Sequence, residues 1–214
     1  MNDSSPARPA AAELPLYVGI ALANVVLVNS AHAAVEARRQ LLAADVIGFD
    51  TESKPTFRKG EKSHGPHLVQ LATDGKVFLY RTGHAPPFEA LFAELKAGLK
   101  EVLESPSILK VGFGLGSDNA RLQSRLDIGI QGVLDLGNVL REGERRGMLG
   151  AKSAVAQVFG MRLQKSKNTT TSNWANAQLT ERQMLYAAND AHVALRVYRE
   201  WMRRKQAALA PSGQ

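Results

Sequence analysis

The chain has 214 residues, and its 27 Lys and Arg against 20 Asp and Glu give a formal net charge of +7, which favours anionic partners such as nucleic acid. At 44% hydrophobic and 22% charged, the composition is that of a globular protein and excludes disorder, collagen and coiled coil as descriptions of the whole chain. Because there is no cysteine, disulfide bonds, thiolate nucleophiles and Cys-ligated metals are excluded, and a metal ion must be held by carboxylate or imidazole groups.

Both ends of the chain consist mostly of small and polar residues. We expect a disordered tail over residues 1–14, one folded domain over 15–206 and a second tail over 207–214. The apolar run 14–28, followed by Ala31-His32-Ala33, resembles a signal peptide. However, Asp3 and Glu13 dilute its charged start, and the run is too short to span a bilayer. We therefore expect a cytoplasmic chain with no membrane association.

Hydrophobic patterning predicts strands that alternate with helices. The predicted strands cover residues 25–29, 46–50, 67–72, 76–81, 108–111 and 132–136. The predicted helices follow Ser30, run from Pro86-Pro87 through Leu103, cover 118–126, and extend from Glu181 to about Lys205. Asp74-Gly75 between two strands indicates a hairpin, and Thr180 with Gln183 forms a capping box. A hairpin followed by βα units predicts an α/β fold, with a mixed central sheet flanked by helices.

Asp50-Thr51-Glu52 places two carboxylates at the end of a short apolar strand. In an extended chain, residues i and i+2 face the same side, so Asp50 and Glu52 lie side by side. They repel each other unless a cation lies between them, and oxygen ligands favour Mg²⁺ or Mn²⁺. A solvated strand end is the alternative interpretation.

Tyr186-Ala187-Ala188-Asn189-Asp190-Ala191 lies in the last predicted helix. Residues four apart share a helix face, so the Tyr186 phenol and the Asp190 carboxylate are neighbours. The alanines would let another backbone or a substrate approach closely. A core tyrosine beside a solvated aspartate is the alternative.

A glycine-rich turn, 112–117, joins a predicted strand to a helix that begins near Asp118. Asp118 could be a simple N-cap. Gly112 and Gly114, with Asp135 further on, also suggest a dinucleotide-binding unit. In that interpretation Ser117 replaces the third glycine, and Asp118 places a negative charge where pyrophosphate should bind.

Taken together, these motifs resemble the DEDD 3′–5′ exonucleases, in the branch with a catalytic tyrosine that includes ribonuclease D and the Werner-syndrome exonuclease domain. The resemblance covers about residues 24–200. It is supported by Gln70-Leu71-Ala72, Leu134-Asp135-Leu136 and Ser172-Asn173-Trp174. It implies an RNase H-like fold and hydrolysis of DNA or RNA from the 3′ end, with release of nucleoside 5′-monophosphates.

The resemblance also implies site roles and cofactors. Two divalent ions, Mg²⁺ or Mn²⁺, would be held by Asp50, Glu52, Asp118 and Asp190, with Asp50 bridging both. Tyr186 would orient the attacking water. The histidine branch places its base five residues before the last aspartate, where this chain has Leu185. His192 is therefore interpreted as an ordinary helix residue. Four carboxylates repel a phosphodiester, so the metal-free site is expected to bind substrate poorly.

Two loops rich in Lys and Arg, one directly after Glu52 and one before Trp174, are candidates for binding the substrate phosphates. Trp174 is a candidate either for stacking on a base or for packing beneath the last helix. The candidate substrate-binding residues are Lys54, Arg58, Lys59, Arg162, Lys165, Lys167 and Trp174. Two alternative functions remain open. One is a catalytically silent nucleic-acid-binding relative, although all five expected site side chains are present. The other is a dinucleotide-dependent enzyme.

Overall fold

The fold is organised around one six-stranded mixed sheet. The structure is a computed structural model that describes residues 14–56, 65–82, 89–141 and 149–209. Its strands are β1 (Val25–Val28), β2 (Val46–Glu52), β3 (Leu68–Ala72), β4 (Val77–Arg81), β5 (Leu109–Gly112) and β6 (Val133–Asp135). They lie in the order β1-β4-β3-β2-β5-β6, and of these six only β3 runs antiparallel to its neighbours. The predicted mixed sheet and the β3–β4 hairpin are confirmed.

The described ranges contain seven α-helices, of which the first three and the last begin close to where the sequence predicts, whereas the other three were not predicted. The seven are α1 (Ala31–Leu42), α2 (Glu89–Glu104), α3 (Asp118–Leu126), α4 (Leu136–Val139), α5 (Ala151–Phe159), α6 (Lys167–Thr170) and α7 (Glu181–Leu209). Ser30 caps α1 by accepting a hydrogen bond from the Ala33 N–H. At the start of α7, Gln183 N–H donates to Thr180 Oγ1 (3.2 Å) and Thr180 N–H donates to Gln183 Oε1 (3.0 Å), which confirms the capping box.

Helix α7 ends later than predicted. It continues past Lys205 to Leu209, because the intervening glutamine, alanines and leucine are all strong helix formers. No helix within the described ranges is both long and apolar enough to cross a membrane.

The two faces of the sheet are covered by different helices. Phe49, Leu71 and Phe78 pack with α1 and α2 on one face, and Leu122 of α3 joins the same cluster. On the other face, Leu68 and Leu79 pack against the buried alanines of α7. The alternation along β2 therefore points Phe49 into one core and leaves Asp50 and Glu52 on the α7 side.

Gly48 determines how closely α7 approaches the sheet. A Cβ atom at this position would lie 2.0 Å from the carbonyl oxygen of Ala191, so only glycine fits here. Ala187, Ala188 and Ala191 are all fully buried at this contact. The small residues of the last motif therefore admit another backbone, which is one of the two outcomes the sequence left open.

Candidate active site

Two carboxylates extend from the end of β2 beneath α7. Burial, followed by the negative charge of Asp190, raises the pKa of Asp50 to about 8. Burial, followed by Asp50 and Asp190, raises the pKa of Glu52 to about 9. Each carboxyl is thus harder to ionise because the other acids are nearby. The two carboxyls are half-buried beneath α7 rather than solvated at a strand end, and a cation beside them would favour their ionised form.

Helix α7 supplies the third carboxylate and the phenol. Asp190 is only 8% exposed, and burial raises its pKa against the opposing effects of Lys165 and a hydrogen bond with Tyr186. Burial, together with the charges of Asp190 and Glu52, also raises the pKa of Tyr186. The predicted shared face of Tyr186 and Asp190 is confirmed, and it points toward Asp50 and Glu52.

Lys165 lies inside this acidic cluster. Its Nζ is 2.7 Å from Asp190 Oδ1, and its side chain is only 25% exposed. The ammonium lies 5.7 Å from the centroid of the Tyr186 ring, and its charge opposes the rise in the pKa of Asp50 and Glu52. The sequence placed Lys165 on a loop beside the site, whereas the structure makes it an internal counter-charge of the site.

Asp118 lies at the edge of the cluster. It is the first residue of α3 and only 7% exposed, and its carboxylate accepts a hydrogen bond from the Thr51 hydroxyl. The N-cap alternative is wrong, because the cap position belongs to Ser117 and the Asp118 side chain reaches across to β2 instead. Burial raises its pKa, and Asp118 makes the smallest contribution to the raised pKa values of Asp50 and Glu52.

The carboxylate of Asp135, at the end of β6, closes the glycine-rich turn 112–117 by hydrogen bonding. Asp135 accepts hydrogen bonds from the N–H groups of Gly114 (3.2 Å) and Leu115 (2.9 Å), and it caps α4 through the Gly137 N–H (2.9 Å). Gly114 adopts φ +73°, which a residue with a side chain rarely does. The amides that would hold a pyrophosphate already bind Asp135, so the dinucleotide-binding interpretation is wrong.

An open cleft of about 310 Å³ leads to the acidic cluster. Asp50, Asp190 and Lys165 line its polar side. The other side is formed by small and apolar residues, which are Phe113, Gly114, Leu149, Gly150 and Ala151. The cleft therefore joins a charged end to a wall on which a base or sugar can pack, with a volume near the lower end of the range for small-molecule pockets.

The remaining predicted substrate residues are dispersed. Lys54 is exposed just beyond Glu52, and its N–H donates to His67 Nδ1. Arg162 is exposed, and its backbone pairs with Pro15 and Tyr17, away from any described contact with the carboxylates. Arg58 and Lys59 lie outside the described residues, as does the side chain of Lys167.

Trp174 belongs to the core. It is 1% exposed, and its ring centroid lies 6.0 Å from that of Tyr186. It packs with the alanines of α7, so it is not presented to a base. Of the two roles that the sequence allowed, the structure selects packing beneath the final helix.

The donor set suits a hard divalent ion, although the carboxylates are turned toward protein donors. Asp50 accepts from the Thr51 N–H (2.9 Å), Asp118 from the Thr51 hydroxyl and Asp190 from Lys165. In this arrangement, no three acidic or histidine side chains of the described segments converge on a single metal position. Two buried carboxylates, Asp118 and Asp190, and two half-buried ones, Asp50 and Glu52, nevertheless offer only oxygen ligands, which Mg²⁺ and Mn²⁺ prefer.

Sequence reasoning assigned no role to the hydroxyls that hold the site together. Thr51 binds Asp118, and Thr170 Oγ1 lies 2.8 Å from the Tyr186 hydroxyl. Thr51 lies between two motif carboxylates, which was an available signal. Thr170 lies in a run of three threonines, and nothing in the sequence distinguishes it from its neighbours.

Known proteins share both the sequence and the fold. The profile of a 3′–5′ exonuclease domain family matches residues 25–204. The chain is 32% identical over 162 residues to the mouse bifunctional 3′–5′ exonuclease/ATP-dependent helicase WRN, covering 75% of this chain and 11% of that protein. It is also 32% identical over 179 residues to the human exonuclease mut-7 homolog, covering 72% of this chain and 19% of that protein. The chain thus spans a small part of these relatives.

Solved structures extend the comparison to the fold. The Aedes aegypti Nibbler EXO domain superposes with a TM-score of 0.71 at 24% identity, covering 89% of this chain and 92% of that one. Escherichia coli RNase D superposes with a TM-score of 0.69 at 22% identity, covering 86% of this chain and 46% of that one. The expected RNase H-like exonuclease fold is confirmed. With the profile spanning 25–204, the chain belongs to the 3′–5′ exonuclease family, the enzymes that hydrolyse phosphodiester bonds from the 3′ end of a nucleic acid.

Proposed function

We propose that this chain removes nucleotides from the 3′ end of DNA or RNA with two divalent metal ions, Mg²⁺ or Mn²⁺, and releases nucleoside 5′-monophosphates. One observation carries the proposal. Asp50 and Glu52 from β2, and Tyr186 and Asp190 from α7, meet in a cluster that is buried at Asp190 and half-buried at the other three, and its acids raise the pKa values of their neighbours. Divalent cations would stabilise the ionised form of such a cluster.

The positions of the side chains suggest which of them would hold the metal ions and which would orient the water. Asp50 is central, since it interacts electrostatically with Glu52, Asp190 and Asp118, and these four carboxylates would together hold the ions. Glu52 and Asp190 both act on Tyr186, which places the phenol beside the groups that would hold metal. Bound there, the ions would activate water and stabilise the departing 3′-oxygen. Tyr186 would orient that water through its hydroxyl group.

The position of Lys165 supports a role for this residue in binding the substrate. Its ammonium lies at the cleft that leads to Asp50 and Asp190, where a phosphodiester would enter. A flexible lysine can exchange a carboxylate for a phosphate oxygen at little cost when metal ions carry the carboxylate charge. We assign Lys165 to the scissile or adjacent phosphate. Lys54 and Arg162 are assigned to the strand beyond the cleft.

The digestion assay described below distinguishes DNA from RNA as the substrate. One structural neighbour, Trypanosoma brucei RNase D, is known in complex with RNA U12, whereas WRN carries a helicase beside its exonuclease. The cleft of about 310 Å³ suits one terminal nucleotide. We also propose a cytoplasmic location, because Asn24 interrupts the apolar run 14–28 that resembles a signal peptide.

The test is digestion of 5′-labelled single- and double-stranded DNA and RNA with Mg²⁺, Mn²⁺ or chelator. We expect a ladder that shortens from the 3′ end with metal, no product with chelator, and loss of activity in Asp50→Asn and Tyr186→Phe. Glu94→Gln is the matched control, since Glu94 is an exposed acid on α2. Equal degradation by wild type and Asp50→Asn would exclude the mechanism. Substrate binding without digestion by the wild type would instead indicate the catalytically silent relative.

A separate binding assay tests the charge argument. With chelator present, the acidic cluster should repel the substrate, and affinity should fall at least about tenfold relative to Ca²⁺-containing buffer. Full affinity in chelator would show that substrate binding does not depend on neutralising these carboxylates.

A further inference from the structure

The hydroxyl of Tyr186 is held by a neighbour outside the acidic cluster. Thr170 Oγ1 lies 2.8 Å from the Tyr186 oxygen, and Thr170 is the last residue of the short helix α6. The Tyr186 ring also packs on Trp174, with a centroid separation of 6.0 Å. The ring and the hydroxyl are therefore fixed by different partners, and Thr170 contacts the hydroxyl from the α6 side.

Both hydroxyls of this contact have a further partner. Thr170 Oγ1 is 3.1 Å from the carbonyl oxygen of Ser166, which can only accept. The Tyr186 phenol also forms a hydrogen bond with Asp190, and that contact lowers the pKa of Asp190. A phenol has one hydrogen, so when Tyr186 donates to Asp190 its oxygen accepts from Thr170. The Thr170 contact thus fixes the phenol oxygen beside Asp190.

Thr170 is itself anchored to α7. Its N–H also donates to the Ser166 carbonyl (3.1 Å), and Ser166 Oγ accepts a hydrogen bond from Arg182 Nη2 at 2.6 Å. Arg182 lies four residues before Tyr186 on the same helix. A closed set of hydrogen bonds thus runs from α7 through Ser166 and Thr170 back to α7, and it fixes the Thr170 oxygen relative to the phenol.

We propose that Thr170 is a positioning residue whose hydrogen bond fixes the Tyr186 hydroxyl beside Asp190. The phenol is thereby kept where it can orient the attacking water. The inference rests on the proposed function, because it gives the phenol a role in holding that water. It predicts that the hydroxyl of residue 170 matters only while residue 186 is a tyrosine.

The test combines Thr170→Val with Tyr186→Phe. Valine keeps the shape of threonine and removes the hydroxyl, and Thr170 is exposed, so the variant should fold. We expect kcat to fall about 2- to 12-fold with KM within twofold, as for one lost neutral hydrogen bond that positions a catalytic group. Thr170→Ser should recover most of the rate. In the Tyr186→Phe background, Thr170→Val should have no further effect. Asn168→Ala, exposed on the same helix, is the matched control.

A second readout needs neither metal nor substrate. In chelator, Thr170→Val and Tyr186→Phe should each lower the urea midpoint of unfolding, and the double variant should lose no more than the larger single effect. Additive losses in stability, or an equal drop in kcat in both backgrounds, would overturn the inference while leaving the exonuclease assignment intact. Full activity of Tyr186→Phe would instead refute the role that the proposed function gives to the phenol.

Discussion

Replacing Gly48 with alanine tests how the fold assembles the site. The new Cβ would lie 2.0 Å from the Ala191 carbonyl oxygen and 2.8 Å from its carbon. Ordinary contact begins at 3.4 Å, so β2 and α7 would have to separate by about 1.4 Å. Because Asp190 immediately precedes Ala191, its carboxylate would move away from Asp50 with the helix.

The magnitude follows from two general rules. Overpacking a core costs about 1–3 kcal/mol, and for a domain of this size each kcal/mol lowers Tm by roughly 2–4 °C. We therefore expect Gly48→Ala to lower Tm by about 2–12 °C. Misplacing reacting groups by about 1 Å can reduce the rate about 100-fold, so activity should fall far more than stability.

The assay measures Tm by circular dichroism. It measures kcat at a temperature well below the unfolding transitions of the wild type and of Gly48→Ala. Gly75→Ala is the matched control, because a Cβ at Gly75 in the β3–β4 turn meets no atom within 4 Å. We expect that control to change neither quantity appreciably. Wild-type Tm and kcat in Gly48→Ala would show that α7 does not depend on this contact to place Asp190.

Three further predictions concern charge. The pKa of Asp50 is raised to about 8 from its unfolded value, so the ionised carboxylate destabilises the metal-free protein increasingly as pH rises from about 4 to about 8. Asp50→Asn should therefore flatten the pH dependence of Tm in chelator and be the more stable protein at pH 8, whereas a parallel decline in both proteins would contradict this. Lys165→Met should bind Mn²⁺ about tenfold more tightly in calorimetric titration, because the ammonium no longer competes for Asp190 at 2.7 Å; unchanged affinity would refute that competition. Asp135→Ala should lower the free energy of unfolding by about 2–3 kcal/mol, measured with urea, since it removes the acceptor of the Gly114, Leu115 and Gly137 N–H groups. A loss below about 0.5 kcal/mol would show that water replaces the carboxylate.

Local patterns predicted much of the site because its chemistry depends on short-range geometry. Asp50 and Glu52 share a face because strand side chains alternate, and Tyr186 and Asp190 share one because a helix turns in 3.6 residues. The capping box at Thr180 and the turn at Asp74-Gly75 are equally local. Each of these follows from residues within four positions of one another, and the structure confirms them.

Such local patterns do not identify which residues from distant parts of the chain come into contact. Lys165 was predicted to contact substrate from a basic loop, and for Trp174 the sequence left open both stacking on a base and packing beneath the last helix. The structure buries Trp174 beneath Tyr186 and directs Lys165 into the acidic cluster. Whether a side chain faces solvent or a neighbouring element depends on how the segment folds back over α7, which residue spacing does not encode.

The sequence by itself determined the order of the motifs, the local faces on which their side chains lie, and the family to which the chain belongs. Only the tertiary structure decided which groups become partners: Thr51 with Asp118, Asp135 with the glycine-rich turn, and Thr170 with Tyr186. The physical reason is that periodicity sets direction within one element, whereas distances between elements depend on packing. At Gly48 that packing brings α7 against the sheet and makes separate motifs into one site.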